Sequence, residues 1–215
     1  MLAPKRGALQ IEDIRFYLLC CSIHQLHYFC QNNQKANMKK AEQFKIWITQ
    51  LSDSSETVFK KALDSLSESG DISVMEPMAH VMFGMTDRLR KHLIAEFFAN
   101  IEQPEAKTEL VRIITSLESK EQQTDLLNVI WNSRMDFSEF LLDIVELAID
   151  GSFEVAMECH TIIENMDGPF EERDVLECQL LLSSYEKHET RSKEKDFLIA
   201  DIVGFINRID AELEG

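Results

Sequence analysis

The sequence predicts an all-α chain built as one row of stacked antiparallel helical hairpins. Three observations carry this reading. First, 215 residues include only 7 Gly and 4 Pro, whereas sheet proteins need many tight turns rich in both. Second, helix-start signals recur about every 33 residues. Third, apolar residues repeat in step with those starts. With 45% hydrophobic residues, the chain has enough apolar surface for one sizeable core or one elongated array.

Taken in order, residues 9–30 predict a leading helix that covers one end, followed by a polar loop, Gln31–Ala36. Four hairpins then occupy 38–168. Their first helices begin at Asn37, Asp71, Gln103–Pro104 and Asp136, and their second helices at Ser52, Asp87, Ser119 and Ser152. Ser, Asp and Asn side chains accept hydrogen bonds from the free N–H groups of a helix start, and Pro suits the first turn. Ser119 with Gln122, and Asp136 with Glu139, have capping-box spacing. Gly70, Gly151 and Gly168 fall where preceding helices should stop.

Seven, ten and eleven residues after the starts come the apolar sets Phe44/Trp47/Ile48, Met78/Val81/Met82 and Leu110/Ile113/Ile114. The second helices give Phe59/Ala62/Leu63, Ile94/Phe97/Phe98, Leu126/Val129/Ile130 and Cys159/Ile162/Ile163. Such offsets form one helical stripe. The helix after Asp136 fits with a shift of one, at Ile144 and Leu147. A hairpin this small cannot bury its own stripe and must stack on its neighbours. A longer last pair, near 170–190 and 193–213, closes the other end. The expected organisation is a single domain over 1–215, with a cap at 1–37, repeats at 38–168 and a closing hairpin at 169–215.

Several segments resemble short HEAT repeats. GDISVMEPMAHVM (70–82) is similar to the family's first-helix opening, Gly-Asp followed by apolar residues flanking a Pro. TDRLRKHLIAEFFANIEQPEAKTELVRII (86–114) resembles its inter-helix Asp, basic second helix and Pro-Glu-Ala start of the next repeat. IDGSFEVAMECHTIIENMDG (149–168) resembles the same turn and second helix. Ala156 stands where the family usually has Arg, and the 119–135 helix lacks the Asp turn. The resemblance covers about 70–168 and implies a curved α-solenoid whose second helices line a concave face, used mostly to bind proteins.

The formal net charge is −16, from 38 acidic and 22 basic residues, which repels polyanions and argues against nucleic acid. Charge is uneven: residues 1–50 hold seven Lys/Arg against three acids, and in 136–182 Arg173 is the only Lys or Arg. A solvated surface and a docking face for a basic protein partner both account for the acidic stretch. Five cysteines (20, 21, 30, 159 and 178) without a CxxC fit a reducing cytoplasm better than a disulfide framework. No apolar run is long enough for a membrane span.

Residues 18–30, LLCCSIHQLHYFC, place Cys20, His24 and His27 on one helical face at i, i+4 and i+7. These are zinc-ligand types. However, structural zinc sites usually draw on two separated segments, and Phe16, Leu19, Ile23, Leu26 and Cys30 make a sound core stripe. The reading adopted is a packing helix, with no metal and no other cofactor. There is no Gly-rich phosphate loop, GxSxG, HExxH or EF-hand loop.

Trp131 lies one position beyond the core offset of its helix, where sibling helices carry Asp64, Ala99 and Glu164. It either packs under the neighbouring helix or faces solvent as a binding hot spot. Asn100, Asn132 and Asn165 share the next offset, as a polar ladder or as helix C-caps. Asn128 and Glu158 complete the candidate partner-binding set. The expected function is a non-catalytic protein-interaction scaffold. The alternatives are a HEAT-related enzyme of the bilin-lyase kind and a metal-responsive regulator. Oligomeric state stays open.

Overall fold

The computed structural model describes residues 38–69, 71–101, 103–133, 135–187 and 193–213. The predicted leading helix over 9–30, the loop after it, and Cys20, His24 and His27 lie outside the described residues, as do Asn37 and Gly70. Those described are all-α, ten helices packed as a bundle with no strand. Helix α1 covers 38–50. The others are α2 (Glu56–Ser69), α3 (Met75–Phe83), α4 (Arg88–Ala99), α5 (Glu105–Ser116), α6 (Lys120–Asn132), α7 (Leu141–Asp150), α8 (Phe153–Glu164), α9 (Glu172–Lys187) and α10 (Asp196–Leu213). As the sequence predicts, α9 and α10 form a longer last pair, with 16 and 18 residues.

The predicted starts mostly hold, each for the expected reason. Asp87 accepts from the N–H groups of Leu89 and Arg90, Ser119 from Gln122 and Ser152 from Val155. Such a cap stabilises a helix by about 1 kcal/mol. Asp71 caps a 3-10 turn, Ile72–Val74, that leads into α3, and Asp136 does the same for Ser138–Phe140 before α7. Glu139 is drawn away from a capping box with Asp136, since it pairs with Lys107.

Ser52 is not a helix start. Its N–H bonds Thr49 O, so it still closes α1, while Asp53 takes the Ser55 N–H and the helix begins at Glu56.

Most of the expected stripes lie in the core: Phe59, Met78, Ile94, Leu110, Leu126, Ile144, Cys159 and their companions Phe98, Ile114 and Ile163 are buried. Trp47, Ile48, Leu63, Val81 and Phe97 are only partly buried, at its edge. Contacts follow chain order in two series: α3 touches α5, α5 touches α7 and α7 touches α9, while α2, α4, α6, α8 and α10 touch in succession. Neighbours α3–α4, α5–α6, α7–α8 and α9–α10 also pack together.

Gly151 ends α7 because of space, not backbone freedom: its φ is −76°. A Cβ there would sit 2.3 Å from Val155 Cγ1 and 2.6 Å from Leu147 O.

One class of contact was not anticipated. Ion pairs join successive helices within each series: Lys40–Asp71 at 2.6 Å, Glu56–Arg90 at 3.5 Å and Lys91–Asp125 at 2.6 Å, together with Glu76–Arg112 and Lys107–Glu139. Partners lie 31 to 36 residues apart, close to the spacing of the helix starts. The separation follows from equivalent positions on adjacent hairpins facing each other.

Candidate protein-binding site

Four of the six candidate partner-binding residues converge where α6 and α8 pack. Trp131 is exposed, at 44% of its surface, although it sits one residue beyond the buried pair Val129 and Ile130. The side chains of Trp131 and Asn128 lie beside the Glu158 carboxylate across the helix boundary and favour its charged form. Asn132 donates Nδ2 to Asn128 Oδ1 at 3.1 Å and to Asn128 O at 2.7 Å. The four side chains form a polar cluster around the indole. Burial pushes the Glu158 carboxyl above its usual range, and the Asn128 and Trp131 hydrogen bonds offset only part of that.

Asn100 and Asn165 do not join this network. Each donates Nδ2 to the carbonyl four residues back, Glu96 O at 2.8 Å and Thr161 O at 2.7 Å, and each closes its own helix. Asn132 makes the same backward bond. The shared offset of the three asparagines thus has a local cause: the last free carbonyls of a helix need donors.

Beside Trp131 runs an open groove of about 410 Å³ between the C-terminal ends of α6 and α8. Its walls include Trp131, Asp136, Thr161, Asn165 and Asp167, and its floor Ile162 and Phe137. Asp136 Oδ1 binds the backbone N–H of Ser138 at 3.2 Å and of Asp167 at 3.4 Å, which ties the loop after α8 to the start of α7. Gly168 N–H completes the tie to Ser138 Oγ at 2.8 Å. Sequence reasoning missed Asp136, Thr161 and Asp167 as lining residues. The available signal was the recurrence of Asp-x-Ser at 71–73 and 136–138.

Neither described cysteine is placed as a nucleophile. Cys159 is fully buried and its thiol is pushed up by desolvation. Burial pushes Cys178 up to about 12. Neither matches the exposed, electropositive setting of a nucleophilic thiol. Among the described residues no group of three or more His, Cys, Asp and Glu is arranged to hold a metal ion, and no helix is long and apolar enough to cross a membrane. No protein-family model matches the chain, and no curated protein matches it.

Proposed function

We propose that the chain is a non-catalytic protein-interaction scaffold, a HEAT-like α-solenoid that binds a protein partner along its second helices around Trp131. The observation that carries this reading is the exposure of Trp131 at the edge of the α6–α8 groove, one residue beyond the buried Val129 and Ile130. A large aromatic ring so placed offers a large contact area at a small conformational-entropy cost. The regular succession of helix contacts supports the solenoid reading, and the net charge of −16 favours a basic partner.

The test is affinity capture from host lysate with the full chain and with Trp131→Ala in parallel, followed by calorimetry with the purified partner. The expected result is a stoichiometric protein whose affinity falls at least tenfold with the variant. A partner indifferent to Trp131→Ala, or none captured by the parent chain, would overturn the reading.

A further inference from the structure

The α6–α8 groove has a counterpart. A groove of about 500 Å³ lies between the C-terminal ends of α2 and α4. Six lining residues of each correspond at a separation of 65: Asp71 with Asp136, Ile72 with Phe137, Glu96 with Thr161, Phe97 with Ile162, Asn100 with Asn165 and Ile101 with Met166. They are one structural feature repeated two hairpins apart, on the same edge of the array. The intervening step reaches α5 through Pro104, which brings no capping carboxylate.

Both grooves pair an apolar floor with an acidic rim. Asp64, Asp71 and Glu96 line the first, and Asp136 and Asp167 the second; among the described residues no Lys, Arg or His lines either wall, although His92 Nε2 comes within 3.5 Å of Glu96. Lys40, which pairs with Asp71, reaches it from α1, and Lys107 approaches Asp136 only through the backbone oxygen.

Resting on the protein-binding reading above, we infer that the two grooves act together on one extended basic segment of the partner. Each takes an apolar side chain, and the Lys or Arg residues beside it face the acidic rims. Packed helices lie 8–10 Å apart, so two steps along the series separate the grooves by about 20 Å. An extended chain covers that distance in about six residues. The recognised segment therefore carries two apolar anchors about six residues apart, each next to a basic residue. Linking two modest contacts on one short chain raises the affinity of the pair well above either alone.

A phage-displayed library of random 16-residue peptides, panned on the full chain, supplies the probe. Recovered peptides should be rich in Lys and Arg with two apolar positions five to seven residues apart. By fluorescence anisotropy, a synthetic copy should lose at least tenfold in affinity with Ser67→Arg in the first groove and with Thr161→Arg in the second. With both changes it should lose at least a hundredfold. Asp64→Lys and Asp167→Lys, both at exposed positions, provide a second variant in each groove should an arginine disturb folding, which circular dichroism reads. Acidic or neutral peptides, indifference to either groove's variants, or no recovered peptide would overturn the two-groove reading. A captured partner that still depends on Trp131 under those outcomes leaves the scaffold function intact, so the two failures are distinguishable.

Discussion

The helices up to α7 and those from α7 onward manage the same excess of negative charge in opposite ways. In the earlier region each step between successive helices of a series is bridged by a cation: Lys40, Arg90, Arg112, Lys91 and Lys107 each meet a carboxylate of the neighbouring hairpin. Among the described residues of the later region, the corresponding places hold carboxylates without a Lys or Arg from the neighbouring hairpin. Asp143 on α7 faces Asp174 on α9, and Glu158 on α8 is met by neutral donors. His160 Nε2 lies 3.7 Å from Asp201 on α10 and 3.6 Å from Glu164 on its own helix, beyond hydrogen-bond distance of either.

The pKa directions follow. Burial pulls the Asp71 carboxyl upward, but Lys40 and the Ser73 hydrogen bonds together hold it below its ordinary value; Arg112 lowers Glu109. Burial raises Asp143, with Asp174 adding to the effect, and burial raises Glu158. A lowered carboxyl contributes stability that is present above its unfolded pKa and lost as pH falls through the folded one. A raised carboxyl contributes most below its unfolded pKa, and that contribution is lost as pH rises through the folded value. Asp71 and Glu109 in the earlier region and Asp143 and Glu158 in the later one thus respond to pH with opposite signs, while Glu154 on α8, lowered by Ser152, follows the earlier pattern.

The largest expected effects break the later region. Gly151→Ala forces a Cβ against Val155 and Leu147 O, and should cost about 3 kcal/mol, read by urea unfolding. An unchanged midpoint would mean that α8 shifts without cost. Lys195→Met should cost about 2–3 kcal/mol. Lys195 is only 5% exposed and donates to Ala148 O, Ile149 O and Gly151 O at 3.2, 2.7 and 2.8 Å, closing α7 from the start of α10. Hydrogen exchange should show the loss concentrated in α7–α10. Uniform loss would mean that the two regions unfold as one.

Asp143→Asn sharpens the contrast and should stabilise the chain by less than about 1 kcal/mol at pH 7. That gain should shrink as pH is lowered to 4, where the parent carboxyl takes up its proton. A gain independent of pH would show that charge is not its source. Smallest is Lys91→Met, expected to cost about 0.5 kcal/mol. The difference should fade in 1 M salt, which screens exposed pairs.

Helices were legible because caps and stripes are local: Asp87, Ser119 and Ser152 act on N–H groups within three residues. Ser52 misled because Asp53 and Ser55 compete for the same turn, and a Ser offers no sign of which wins. At the site, repeat register alone placed Trp131 outside the core. That Asn128 and Glu158 lie beside it depends on the stagger between α6 and α8, which a single helix's pattern does not encode. The charge ladder was written in the sequence at the repeat period, but ionic partners on adjacent hairpins are recognisable only once facing positions are known.

Lys195 also sets an order of events during synthesis. Every ion-paired step of the earlier region joins residues 31 to 36 apart, so each hairpin can be fastened soon after the next is made. The end of α7 must wait for a residue 44 positions beyond Gly151. At about 5–20 residues per second, that leaves its last carbonyls open for about 2–9 s. A nascent chain stalled before residue 195 should therefore carry a fastened first region and an unfinished second one, whose exposed end is the part most in need of protection by chaperones.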